Sequence, residues 1–260
     1  MLLLALTASA SFSLLPSAQQ SPVYGVDVAN REVYRTTSSA FSAGYEVIGD
    51  TGVEVLAVDF DATGHLLWGV GRAVGGLSVG VVSEVTGEFQ PRALLAGIAN
   101  NADITDFVCS RLTHEPSQEW FAASPDTVSG TTGLYRCIFS TGAMAPFATV
   151  PGELTCLALI RSSHVLAYRS APSEFVQIRT ATGAASSVPI DPAVASIADM
   201  DFDPVTGQLH VVALDHSGQS WFGILDPGSG GVTFLDEVTA LGSELRIAVR
   251  RGESSIDVEK

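Results

Sequence analysis

The stretch Gly133–Val150, GLYRCIFSTGAMAPFATV, is a short alternating run, a turn closed by glycine, and a second short run. The phrase returns as SWFGILDPGSGGVTFL at Ser220–Leu235, EFVQIRTATGAASSVPI at Glu174–Ile190 and SVGVVSEVTGEFQPRALL at Ser78–Leu95. EVYRTTSSAFSAGYEVI at Glu32–Ile48 is a degraded copy. The turn glycines Gly87, Gly142, Gly183 and Gly230 lie 55, 41 and 47 residues apart. Alternation of period two marks strands, and Ser, Thr, Pro and Gly mark the turns between them. A repeat of this length built from short strands is the period of a four-stranded blade, so the expected fold is an all-β propeller.

A second phrase precedes the first. VLAVDFDATGHLLWGVG at Val55–Gly71 matches IADMDFDPVTGQLHVVALD at Ile197–Asp215, each with Asp-Phe-Asp, a turn closed by Thr-Gly, and a strand. ITDFVCSRLTHEPSQEWFAAS at Ile104–Ser124 and LTCLALIRSSHVLAYRS at Leu154–Ser170 are weaker versions. The unit is therefore two successive hairpins, strands a–b then c–d, with blades expected at about residues 54–99, 103–150, 153–190 and 195–239. Val23–Ile48 supplies strands of b, c and d character, while LRIAVRRG and SSIDVE within Glu244–Glu259 have the character of a and b. Joining the two ends makes a fifth blade and removes the open sheet edges. Five four-stranded blades closed by N- and C-terminal strands are expected; six thin blades are the alternative.

Composition agrees. Of 260 residues, 46% are hydrophobic, only 16% are charged and 25 are glycine, which suits short strands and tight turns. Residues 1–20, MLLLALTASASFSLLPSAQQ, carry no charged side chain and read as an export signal, leaving a propeller domain over residues 21–260. Ser, Thr and Pro interrupt the run, which is short for a membrane span, and no other segment could cross a bilayer. The expected location is secreted or periplasmic, the expected state a monomer. A net charge of −15, with Lys260 the only lysine, repels phosphate backbones and disfavours nucleic acid. Cys109, Cys137 and Cys156 are an odd set: Cys109 and Cys137 could pair, or all three could be buried thiols.

The copies resemble secreted bacterial propeller repeats of the YVTN/NHL-like superfamily, whose consensus runs roughly L-x-x-I-D-x-x-T-G-x-x-x-x-L, then L-A-F-D-P-x-T-G-x-L-Y-x-V. The clearest matches are MDFDPVTGQLHV at Met200–Val211 and FGILDPGSGGVTFL at Phe222–Leu235. The resemblance implies architecture and little about activity, because such blades serve as scaffolds, enzymes and parts of larger proteins. The Trp-Asp signature, the kelch double glycine in register and the sialidase turn box are all missing from the sequence.

Candidate chemistry centres on acids. Asp199, Asp201 and Asp203 alternate and share a face. Alignment of the copies sets Asp59 with Asp201 and Asp106 with Asp199. First strands line a propeller's channel, so Asp59, Asp106, Asp199 and Asp201 could converge on a cation such as calcium, or form paired acids for hydrolysis. The competing reading is structural and favoured: Asp61 and Asp203 start the a–b turns, while Asp59 and Asp201 accept backbone hydrogen bonds that lock neighbouring blades. Cys156 occupies the place of Asp106 and Asp199, so the ring of acids is incomplete. His65, His114 and His164 fall near a–b turns of different blades and read as exposed. Gly76–Gly80 spells G-x-S-x-G, but strand and turn follow it where a nucleophile elbow needs a helix. The b–c and d–a loops carry Asp50, Glu54, Asn100, Asn101, Asp103, Asp126, Glu153 and Asp215, an acidic rim suited to a cation or to a basic or hydroxylated partner. The sequence thus points to an exported scaffold binding a protein, carbohydrate or small molecule through its loops or channel. The alternative is a carboxylate-dependent, calcium-assisted hydrolase or lyase.

Overall fold

A computed structural model describes residues 21–37, 44–61, 63–98, 103–109, 119–161, 163–203, 205–238 and 244–250. The export signal expected at 1–20, together with Asn100, Asn101, His114 and the SSIDVE strand, lies outside these residues. Strands β1 (Pro22–Asp27), β2 (Glu32–Thr37) and β3 (Glu46–Asp50) come first. Blade 1 is β4 (Val55–Phe60), β5 (Leu67–Ala73), β6 (Gly76–Val82) and β7 (Phe89–Leu94). Blade 2 is β8 (Asp106–Cys109), β9 (Glu119–Asp126), β10 (Thr131–Ile138) and β11 (Ala143–Pro151). Blade 3 is β12 (Leu154–Arg161), β13 (His164–Ser170), β14 (Ser173–Arg179) and β15 (Ala185–Pro189). Blade 4 is β16 (Val194–Asp203), β17 (Gln208–Asp215), β18 (Ser220–Leu225) and β19 (Val232–Glu237). The last strand, β20 (Leu245–Val249), pairs antiparallel with β1, from Val23 opposite Val249 to Asp27 opposite Leu245. Blade 5 is thus β20-β1-β2-β3, and the five-bladed ring closes as the sequence predicts.

The burial pattern follows from position in the blade. Every residue of β4 and β8 is buried, because an innermost strand is covered on both faces. The outermost strands β15 and β19 show mostly exposed or half-buried residues. The core divides into five apolar clusters, one at each junction between consecutive blades. Tyr24, Phe60 and Ala248 hold blade 5 to blade 1, and Phe107, Trp120 and Val70 hold blade 1 to blade 2. Phe121, Leu134 and Leu157 join blades 2 and 3, Tyr168, Phe175 and Leu209 join blades 3 and 4, and Phe222, Leu245 and Ile247 join blades 4 and 5.

The repeated glycine makes an outer contact as well as a turn. Gly142 has φ +67°, and a Cβ there would lie 2.0 Å from the Leu94 carbonyl oxygen of the preceding blade. Gly230 has φ +72°, and a Cβ would lie 1.8 Å from the Pro189 oxygen. Only glycine accepts both the left-handed backbone and this approach. Gly87 and Gly183 meet β3 and β11 in the same way. The c–d turns of blades 1 to 4 therefore each rest on the outer strand of the blade before them.

Candidate functional site

The innermost strands have one ladder edge. β4, β8, β12, β16 and β20 pair with their own second strand on one side, while the other side faces the axis. Backbone groups there need partners, since a buried unpaired N–H costs about 1–3 kcal/mol. The channel aspartates supply them. Oδ2 of Asp59 on β4 accepts the Cys109 N–H at 2.6 Å, and Oδ2 of Asp106 on β8 accepts the Leu157 N–H at 2.5 Å. On β16, Asp199 accepts the Ile247 N–H at 2.6 Å and Asp201 the Val249 N–H at 2.7 Å. Each bond runs from one blade to the next. Asp106 and Asp201 also take the N–H of their own following residue through Oδ1, at 2.7 Å to Phe107 and 2.7 Å to Phe202.

These bonds define two equivalent positions on the inner strands. One holds Ala57, Asp106, Cys156, Asp199 and Arg246; the other, two residues on, holds Asp59, Val108, Ala158, Asp201 and Ala248. Arg246, which no sequence motif singles out, does for carbonyls what the acids do for N–H groups. Its Nε donates to the Leu56 oxygen at 2.8 Å and its Nη1 to the Ala198 oxygen at 2.6 Å, joining blade 5 to blades 1 and 4. Its alignment with Asp106 and Asp199 is the one sequence signal that points to this role.

The four predicted site aspartates thus line one channel, with Phe107, Leu157, Met200 and Ile247 among them, and no water-sized sphere fits in that space. Burial drives the Asp106 carboxyl well above the carboxylate range, and the charge of Asp199 adds to it. Burial likewise raises Asp199, to about 7, against the opposing pull of Arg246 and the Ile247 N–H. Each of the four carboxylates commits at least one oxygen to a backbone N–H of the next blade. No group of three His, Cys, Asp or Glu side chains suited to a metal occurs among the described residues.

Other predicted residues find separate places. Oδ1 of Asp61 accepts the N–H groups of His65 (2.9 Å) and Leu66 (3.3 Å), and Oδ1 of Asp203 accepts that of Val205 (2.8 Å), so both cap a–b turns. His65 is exposed and His164 half-buried, on different blades. Cys109, Cys137 and Cys156 are buried thiols, and burial pushes the Cys137 thiol up to about 12. His210, opposite Asp201, stacks on Phe222 with 9° between the rings, and neither ring nitrogen has a hydrogen-bond partner. A cavity of about 10 Å³, the size of one water, sits between blades 1 and 2 against Phe107, Trp120, Phe139 and Met144.

The rim is different. Connections β5–β6, β9–β10 and β17–β18 emerge at one end of the ring, with the blade-to-blade connections. Asp126 caps its turn through the N–H groups of Val128 (3.0 Å) and Ser129 (3.3 Å). The Ser129 hydroxyl, then these N–H groups, hold its carboxyl below the usual range. Asp215 is held at about 2 by the Ser217 hydroxyl and the Trp221 indole. Arg72 bridges Glu54 at 2.9 Å and Asp103 at 2.6 Å, all three partly exposed. Val74 and Val128 stand free at turn tips with 103% and 96% exposure. The rim is therefore a set of stable negative charges around small apolar tips.

No protein-family model matches the chain, and no curated protein sequence does. Its fold is similar to that of a chain in the crystal structure of a nidogen/laminin complex, with TM-score 0.52, 9% identity, and 89% of this chain and 98% of that chain covered. It is also similar to TolB from Acinetobacter baumannii, with TM-score 0.54, 9% identity, and 84% of this chain covered. The match spans 53% of the TolB chain, about half its length. At such identity the likeness carries the propeller fold alone. No helix long and apolar enough to cross a membrane occurs among the described residues.

Proposed function

We propose that the protein is an exported, non-catalytic propeller that binds a partner through its b–c and d–a rim. The observation that carries this reading is the contrast in how the two sets of acids are held. The channel acids are buried and bonded to backbone, whereas Asp126 is exposed and Asp215 half-buried at the rim, and both are kept ionised by their own turns. Fixed charge around apolar tips favours a partner that presents basic and apolar groups together. The similar chain from the nidogen/laminin complex belongs to a protein assembly, which is consistent with a protein partner here. The charge-free apolar run at residues 1–20 supports export, and the repeat phrases support kinship with the secreted bacterial repeats.

The test is a binding screen with basic peptides and a glycan array, repeated on a protein with Asp126→Lys and Glu153→Lys. Binding to basic peptides should weaken as salt rises and fall at least about tenfold on charge reversal. Undiminished binding by the reversed rim contradicts the reading. Binding confined to neutral glycans moves the partner from basic protein to carbohydrate.

A further inference from the structure

The axis holds more negative charge than it can neutralise. Asp106 from β8 and Asp199 from β16 are both fully buried in the channel. From the other inner strands, β4 brings Asp59, β12 the Cys156 thiol, β16 also Asp201, and β20 Arg246. Arg246 is the cation that acts on both Asp106 and Asp199, and its Nε and Nη1 already bond to carbonyl groups. Oδ1 of Asp199 has no hydrogen-bond partner of normal geometry and is shielded from solvent. A buried carboxylate oxygen whose nearest donor, the Met200 N–H, is poorly aligned is costly, and protonation relieves that cost. Two carboxyls that repel each other beside one guanidinium meet these constraints by keeping a proton.

We propose that the Asp106–Asp199–Arg246 cluster retains a proton at neutral pH and makes closure of the ring by β20 proton-dependent. The bonds at stake are those of Asp106 to blade 3 and of Asp199 to β20, the strand whose docking closes the circle. Protonated on Oδ1, either carboxyl still accepts its inter-blade N–H through Oδ2, and in Asp106 the hydroxyl oxygen keeps a lone pair for the Phe107 N–H. Loss of the proton places an uncompensated charge at the centre of the ring. The direction of the Asp199 shift agrees. With its folded value raised from 3.8 to about 7, its contribution is fully present below 3.8 and is lost as pH rises through about 7. His210 works in the opposite sense at the same junction: burial lowers it, against the pull of Asp203, so its contribution is lost on acidification.

The experiment is denaturant unfolding of the whole protein from pH 5 to 9, for the parent, Asp199→Asn and Asp106→Asn. Asparagine imitates the protonated carboxyl. The parent should lose folding equilibrium constant as pH rises, by up to about tenfold per pH unit below neutrality. Either asparagine variant should flatten this slope and match or exceed the parent at pH 8.5. A flat parent profile, an unchanged slope in both variants, or variants weaker than the parent at pH 8.5 overturns the proposal. If neither variant folds, the infrared carbonyl band of a buried carboxylic acid in the parent at pH 7 decides: its presence supports the proposal and its absence overturns it.

Discussion

The junction between blades 3 and 4 and the junction between blades 4 and 5 solve one problem by different means. Among the described residues, the first buries a cluster of 12 apolar side chains, including Leu166, Tyr168, Phe175 and Leu209. The second buries 7, and its blade 5 side is the five-residue strand β20 with Val23 of β1. At the first junction the two inner positions of blade 3 hold Cys156 and Ala158, so no carboxylate crosses to blade 4, whose Phe202 N–H is taken by its own Asp201. At the second, both positions are aspartate, both bond to β20, and Arg246 returns a bond to Ala198. Two blades continuous with their own chain are joined by apolar area. A strand recruited from the far end of the sequence, with less area to offer, is fixed by directed polar bonds.

Removing β20 breaks the comparison most severely. A protein lacking residues 245–260 should lose cooperative unfolding altogether, because β1 and the inner edge of β16 both lose their partner; circular dichroism melting checks this. Leu166→Ala at the apolar junction should cost about 2–5 kcal/mol by cavity formation, with the same loss at pH 5 and pH 8. Asp201→Ala should cost about 1.5–3 kcal/mol by leaving the buried Val249 N–H without its acceptor. Gly230→Ala, at the outer contact of blades 3 and 4, should cost about 1–3 kcal/mol from left-handed backbone strain and the clash with Pro189. The smallest effect belongs to His210→Phe, which keeps the stacking on Phe222 and removes two ring nitrogens that make no hydrogen bond, Nε2 lying 4.0 Å from Asp203. Stability at pH 8 should change by less than about 1 kcal/mol. The folded His210 value lies below 6.5, so its own contribution is lost on acidification, and the variant should gain more stability than the parent as pH falls below 6.5.

Much of this is legible in the residues. The glycine-closed turns give blade limits close to those observed, and LRIAVRRG contains β20 at the expected edge. The Asp-Phe-Asp phrase is visible too, along with its capping and inter-blade readings. Its role as a backbone partner for an inner edge is fixed only by which side of each strand faces the axis, and period-two alternation does not distinguish the two sides of a ladder. Arg246 is silent for the same reason: an isolated arginine in a short strand carries no signal until Leu56 and Ala198 are seen on either side. The turn glycines read in sequence as turn formers, and their close approach to the neighbouring blade is a property of the ring that no single repeat displays.

Amide hydrogen exchange at Cys109, Leu157, Ile247 and Val249 tests most directly whether the channel carboxyls serve the backbone. These four N–H groups are held by side chains of the preceding blade. They should exchange as slowly as the ladder amides of β13 and β17. Fast exchange at these positions, with the ladders still protected, would show that the aspartates are not their partners and would return the channel to consideration as a ligand site.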